Sequence, residues 1–299
     1  MIKRVLYFGN PVYLKVKDNQ LIIEKPDKSE PAKAVIEDIG VIVLDNPQIT
    51  LSHAVVQRLL DNNTSIITCD DKHLPTGLML PLEGNSLQSE RFQYQIEATE
   101  PLKKQLWQQT IAAKVKNQAL LLKHSGNDDR ALMRWSKEVK SGDVDNIEAK
   151  AAAHYWKNLF SGSIESFTRD RYGEAPNNLL NYGYAILRGI VARGLVSSGL
   201  LPTLGIHHHN KYNAYCLADD IMEPYRPFVD KLVWDMVATG MLSEEINKEH
   251  KRILLGIAVM DIQFEEKSSP LMVGLQTTTA SLAKCYAGES RKIIYPSFC

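Results

Sequence analysis

The sequence predicts an α+β protein, with a small N-terminal β-rich domain followed by a larger α-helical catalytic domain. Three observations carry that expectation. Short runs rich in β-branched and aromatic residues, bounded by turn formers, occupy residues 1–73. Residues 74–88 supply proline and glycine at intervals that stop regular structure, which reads as a linker. From residue 89 to 299 apolar residues recur at helical spacing.

Taken in order, strands are expected over 5–8, 13–17, 20–24, 40–44 and 65–69, with Asp18-Asn19 as a hairpin turn between the second and third. Apolar residues at 55, 56, 59 and 60 after Ser52 predict one helix between 50 and 63. Beyond the linker, helices are expected over 88–99, 102–123, 128–139, 147–159, 178–197, 221–239 and 243–259. No internal repeat or low-complexity tract interrupts them.

Composition narrows the function classes. A chain of 299 residues can bury a sizeable core, and its formal net charge of zero does not announce a nucleic-acid binder. The first 100 residues hold 10 Lys and Arg against 14 Asp and Glu, leaving the remainder slightly basic, so phosphate binding would rest on local clustering. Four cysteines without paired spacing suggest reduced thiols. The apolar run in MIKRVLYFGN is too short for a signal peptide, and no run approaches membrane-spanning length. A cytoplasmic location with no membrane partner is expected.

The densest chemistry lies in LGIHHHNKYNAYCLADDIMEPYRP, residues 204–227. Three adjacent histidines cannot all face one point, so one or two are candidate ligands. The others would be solvent-facing, stacked or near phosphate. Asp220-Ile-Met-Glu223 has capping-box spacing, so Asp219 or Asp220 also reads as a helix N-cap. A second signal is Glu148 in NIEAKAAAHYW: on a 3.6 period it shares a face with Ala152, Tyr155 and Leu159. Glu148 could simply favour a helix start, but a carboxylate facing inward needs a cation, either an arginine or a metal. One imidazole and two carboxylates form an N/O ligand set suited to Mn²⁺ or Mg²⁺. Such a set serves in-line displacement at phosphorus. Arg169, Arg171, Asn177, Asn178, Arg188, Lys211 and Arg226 are candidates for holding DNA phosphates.

With those residues in view, the chain resembles the CRISPR-associated integrase family Cas-one, which inserts new spacers, in the form found in type II systems. The resemblance runs through CDDKHLPTGLMLPL, WQQTIAAKVKNQALLL, NIEAKAAAHYW, PNNLLNYGYAILRG and above all LGIHHHNKYNAYCLADDIMEPYRPFVD. It implies Glu148, His208 and Glu223 as catalytic metal ligands, with Asp220 in support. It also implies an N-terminal β domain used for homodimerisation, and a heterohexamer in which two integrase dimers flank a dimer of Cas-two. The implied partners are double-stranded DNA, as protospacer and CRISPR repeat, with type II accessory adaptation proteins and the effector nuclease as further candidates. The implied reaction is transesterification of a protospacer 3′-hydroxyl onto the repeat backbone. Two alternatives stay open: a metal-dependent nuclease acting on branched or single-stranded DNA, and a non-catalytic DNA-binding scaffold.

Overall fold

The structure is a computed structural model that describes residues 3–265 and 267–298. Its first part holds β1 (Arg4–Phe8), β2 (Tyr13–Lys17), β3 (Gln20–Glu24), β4 (Ala32–Val35), β5 (Ile39–Leu44), β6 (Thr50–Leu51), α1 (His53–Asp61), β7 (Ser65–Cys69) and β8 (Pro75–Met79). They form two four-stranded sheets, ordered β1-β5-β7-β8 and β4-β3-β2-β6. The β2–β3 hairpin turns at Asp18 and Asn19, whose φ angles of 51° and 56° suit a two-residue hairpin turn.

The first sheet is buried on both faces, and period-two alternation divides its side chains. Ile42 and Ile66 join a small core with Leu14, Leu21, Val55 and Leu59, as does Ile39 ahead of the register shift between β1 and β5. Val41, Val43 and Ile67 point the other way, into the core formed by the helices. This one sheet is therefore shared between the small core and the main one.

Part of the expected linker is not irregular. Pro75–Met79 pairs antiparallel with β7, closing one edge of the sheet. Proline is tolerated there because the first residue of an edge strand has no ladder donor to lose.

The helical part comprises α2 (Gln88–Ile96), α3 (Glu100–His124), α4 (Arg130–Glu138), α5 (Ile147–Leu159), α6 (Asn177–Ser197), α7 (Cys216–Met222), α8 (Arg226–Ala238) and α9 (Lys248–Leu255). A short hairpin, β9 (Asp261–Gln263) with β10 (Ser268–Pro270), then leads into α10 (Leu271–Tyr286). The architecture is α+β. Helix α3 is central, packed against α4, α5 and α8.

Two expectations are corrected here. The continuous helix over 221–239 is instead α7, a 3-10 turn at Glu223–Tyr225, and α8. Pro224 and Pro227 lack the N–H groups that would carry the helix through. Helix α10 was not anticipated, because its Thr- and Gly-containing sequence is a weak helix former. Packing supports it: Leu271, Leu275 and Leu282 are fully buried, and Thr278 shares a 2.6 Å hydrogen bond with the Tyr225 hydroxyl.

Candidate metal centre

Glu148 stands in the first turn of α5, but another residue caps that turn. The Asp143 carboxylate accepts the N–H groups of Ile147 at 2.9 Å and Glu148 at 3.0 Å. The buried stripe of α5 is Ile147, Ala151, Tyr155 and Leu159, so Glu148 lies beside it, its side chain 26% exposed. That position turns its carboxylate toward α3. Glu223 sits at the break between α7 and α8, where the proline-enforced 3-10 turn directs its buried side chain to the same place.

Between the two carboxylates lies Lys114 of α3. Its Nζ donates to Glu148 Oε1 at 2.7 Å and lies 2.6 Å from Glu223 Oε2. The second contact is a buried ion pair whose alignment is poorer than that of the first. Glu223 Oε1 accepts from Arg226 Nε at 2.8 Å. Burial pushes the Glu223 carboxyl up, but the Arg226 guanidinium and Lys114 ammonium outweigh it and hold the group well below its usual range. Burial likewise pushes the Lys114 ammonium down, and Glu223 and Glu148 override it, raising its pKa. Both shifts favour the charged forms of Glu223 and Lys114.

The histidine loop is organised by Asp220. Helix α7 begins at Cys216, so Asp220 lies within it, and neither it nor Asp219 is an N-cap. Instead Asp220 Oδ2 accepts the N–H groups of Ile206 at 2.6 Å and His207 at 2.9 Å, while Oδ1 lies 2.5 Å from His208 Nδ1. Gly205 makes the wrap possible: a Cβ there would come within 2.2 Å of the His208 carbonyl oxygen. Asp219 is bound by Arg188 at 2.6 and 3.0 Å and by Asn213 at 2.7 Å.

The three histidines are thereby divided. His207 stacks on Trp107 at 4.3 Å, and His208 meets the same ring edge-on at 5.7 Å. His209 is solvent-facing. The His208 pKa is raised, chiefly by its hydrogen bond to Asp220, against burial, with the charges of Asp220, Glu223 and Glu148 adding to the rise.

The candidate phosphate contacts separate by position. Arg226 and Arg169 lie over the Tyr184 ring, at 4.5 and 5.4 Å. Both line a cavity of about 180 Å³ that also includes Lys114 and Glu223. Arg171 and Arg188 join them around an adjoining cavity of about 470 Å³. Lys211 lines a different cavity with His208 and His209. Asn178 is not brought to this groove, since its amide donates to the carbonyls of Ser243 and Glu244 at 2.9 and 2.8 Å. Asn177 folds its own loop, accepting from Arg169 at 2.9 Å.

Among the described residues no three His, Cys, Asp or Glu side chains form a cluster ready for a metal ion. Lys114 stands between two of the expected ligands. The donor chemistry nonetheless suits a hard divalent cation: two carboxylates already drawn to one positive charge, and an imidazole held at Nδ1 so that Nε2 is the remaining ligand atom. Lys114 and Trp107 were missed from the sequence. Their signal was present, because Trp107, Ile111, Lys114 and Gln118 recur on the buried face of α3. A lysine on such a stripe needs a charged partner.

The sequence model described as "CRISPR associated protein Cas1" matches residues 5–262. The chain belongs to the Cas1 family. It is 35% identical over 283 residues to a CRISPR-associated endonuclease Cas1 of Neisseria meningitidis serogroup C, covering 94% of this chain and 91% of that one. Among solved structures, a casposase bound to integration product superposes with a TM-score of 0.77 at 20% identity, over 98% of this chain and 93% of that one. The Cas6-RT-Cas1–Cas2 complex gives 0.75 at 20% identity, over 99% of this chain and 36% of that one. At those identities the two structures show that the Cas1 fold is shared. No helix among the described residues is long and apolar enough to cross a membrane.

Proposed function

We propose that this Cas1-family chain is a metal-dependent DNA integrase of CRISPR adaptation, joining protospacer 3′-hydroxyl ends to the CRISPR repeat by transesterification. The observation that carries the reading is the convergence of Glu148 and Glu223, from separate elements, on one cation. His208 stands nearby on a loop fixed by Asp220. In this reading Glu148, His208 and Glu223 hold Mn²⁺ or Mg²⁺. Bound there, the ion supplies Lewis-acid stabilisation of charge on the attacking and leaving oxygens.

The chain's own residues do the rest. Asp220 keeps His208 Nδ1 engaged, so that Nε2 faces the ligand role. Arg226 and Arg169, with Arg171 and Arg188, present guanidinium groups to phosphates entering the adjoining cavities. One P–O bond forms to the protospacer 3′-oxygen as one breaks in the repeat. The proton of the attacking hydroxyl balances the departing 3′-oxygen, so no external energy source is needed.

The likeness to a Cas6-RT-Cas1–Cas2 complex supports a Cas2 partner; in this reading the assembly is a heterohexamer, with the β-rich N-terminal region carrying homodimer contacts. Accessory adaptation proteins and an effector nuclease are further proposed partners, and the cytoplasm the proposed location. The name of the Neisseria relative, an endonuclease, favours a second reading in which water replaces the 3′-hydroxyl.

Incubation with the partner, Mn²⁺, a labelled protospacer and a supercoiled repeat plasmid separates the readings. Joined product is expected; nicking without joining would move the assignment to the nuclease. Glu148→Ala, His208→Ala and Glu223→Ala are each expected to lower joining by about 10²–10³-fold. Three silent substitutions would leave only a DNA-binding scaffold.

A further inference from the structure

The proposed chemistry gives Lys114 no role, although it is the cation on which both carboxylates converge. The side chain is buried, held by packing on α3, and its Nζ contacts Glu148 at 2.7 Å and Glu223 at 2.6 Å. The two contacts are unequal. The one to Glu148 is an aligned hydrogen bond, and the one to Glu223 is a close ion pair with poorer alignment. Lys114 thus bridges two acids, while Arg226 supplies a second cation to the other oxygen of Glu223. An ammonium and a divalent ion cannot occupy one gap, because like charges at contact distance in a buried site repel strongly.

The displaced ammonium has a destination. One helical turn along α3, Gln118 is 3% exposed, and its Oε1 is buried without a hydrogen-bond partner. Gln118 lines the same cavity of about 180 Å³ as Lys114, Glu223 and Arg226. Residues four apart share a helix face, and the flexible lysine stem can swing between neighbouring acceptors.

We propose that Lys114 is a resident stand-in for the divalent cation: it bridges Glu148 and Glu223 in the metal-free protein, competes with the metal, and withdraws to Gln118 Oε1 when the metal enters. The inference rests on the reading of Glu148, His208 and Glu223 as metal ligands. It makes the free protein pre-assembled yet reluctant to take up metal.

The test is Mn²⁺ binding to the full-length chain without DNA, followed by loss of the free Mn²⁺ electron paramagnetic resonance signal. Lys114→Gln keeps donors for both carboxylates while removing the charge, and it is expected to bind Mn²⁺ at least about tenfold tighter than wild type. Its melting temperature without metal should fall, and its gain on adding Mn²⁺ should exceed that of wild type. Lys114→Arg should not tighten binding. Gln118→Leu should weaken Mn²⁺ binding in the wild-type background and have no effect beside Lys114→Gln.

Equal or weaker Mn²⁺ binding by Lys114→Gln overturns the proposal. In the wild-type protein, which avoids any folding defect, Mg²⁺ should shift the Lys114 Nζ nuclear magnetic resonance signal, and an unmoved signal also overturns it. Glu148→Gln and Glu223→Gln distinguish the two levels of inference. If they abolish Mn²⁺ binding while Lys114→Gln fails to tighten it, only the stand-in role falls. If no variant, wild type included, binds Mn²⁺, the metal reading falls and takes this inference with it.

Discussion

Two buried lysines, Lys114 and Lys251, each neutralise acid in the interior, and their surroundings differ in one decisive way. Lys251 of α9 donates to Asp45 Oδ2 at 2.7 Å, just beyond β5. The same oxygen accepts from the Tyr7 hydroxyl, while Asp45 Oδ1 lies 2.8 Å from His73 Nδ1. Burial pushes the Asp45 carboxyl up, but the Lys251, Tyr7 and His73 contacts prevail and lower its pKa. Both oxygens have partners, and the cluster pins the sheet to the helices. Around Lys114 one ammonium is shared between two carboxylates, and a cavity adjoins it. A closed cluster marks a structural ion pair, and a cation shared between two acids beside open space marks a place for a ligand.

The largest expected effect breaks the closed cluster. Asp45→Ala leaves Lys251 buried and unpaired, and is expected to cost about 3–5 kcal/mol of stability. Urea denaturation measures it through the midpoint at constant slope. Joining activity per folded molecule should stay near wild type, since Asp45 lies outside the proposed site. An unchanged midpoint together with lost joining would sink the contrast drawn between the two lysines.

An intermediate case sharpens the comparison. Asp230 is buried and accepts from the Tyr155 hydroxyl at 2.8 Å and from the Tyr184 hydroxyl, and among the described residues no cation is bonded to it. Burial raises its pKa from 3.8 to about 6, against the lowering effect of those two hydroxyls. A raised folded pKa stabilises the fold relative to higher pH below the unfolded value, and that advantage is lost as pH rises. The window therefore runs from about pH 4 to about pH 6, and the shift corresponds to about 3 kcal/mol. Asp230→Asn should remove that slope, read as melting temperature against pH. A slope that persists in the variant would show that other groups carry it.

Much of this was legible in the sequence because periodicity and turn chemistry are local. The β2–β3 hairpin and α5 follow from alternation, Asp18-Asn19 and helical spacing within the segments themselves. Strand β8 was hidden because Pro75 and Gly77 read as breakers until β7 supplies a partner. Within the site, Glu148 and Glu223 were legible as candidate ligands beside helix-start readings, whereas their convergence on Lys114 depends on three elements meeting. Asp220 was misread as a cap for the same reason. Its spacing to Glu223 suggests a helix start, but the loop it binds lies twelve to fourteen residues earlier in the chain.

The smallest effect tests that last point and separates two adjacent aspartates. Asp219 is engaged by Arg188 and Asn213, away from the histidines, while Asp220 holds the backbone of Ile206 and His207 and the ring of His208. Asp220→Asn keeps the shape but replaces one acceptor oxygen with a donor. That donor would face either backbone N–H groups or His208 Nδ1, so the loop must loosen or the ring must turn. Because a second carboxylate that fixes a ligand histidine typically accounts for tenfold to a hundredfold in metal affinity, Mn²⁺ binding is expected to weaken by about that factor. Asp219→Asn should change it much less. Adding His208→Ala to Asp220→Asn should cost less than His208→Ala alone, because Asp220 acts through that ring. Full additivity would show that Asp220 acts elsewhere. Equal losses from Asp219→Asn and Asp220→Asn would trace the effect to general negative charge near the site, leaving the orientation of His208 without a part in it.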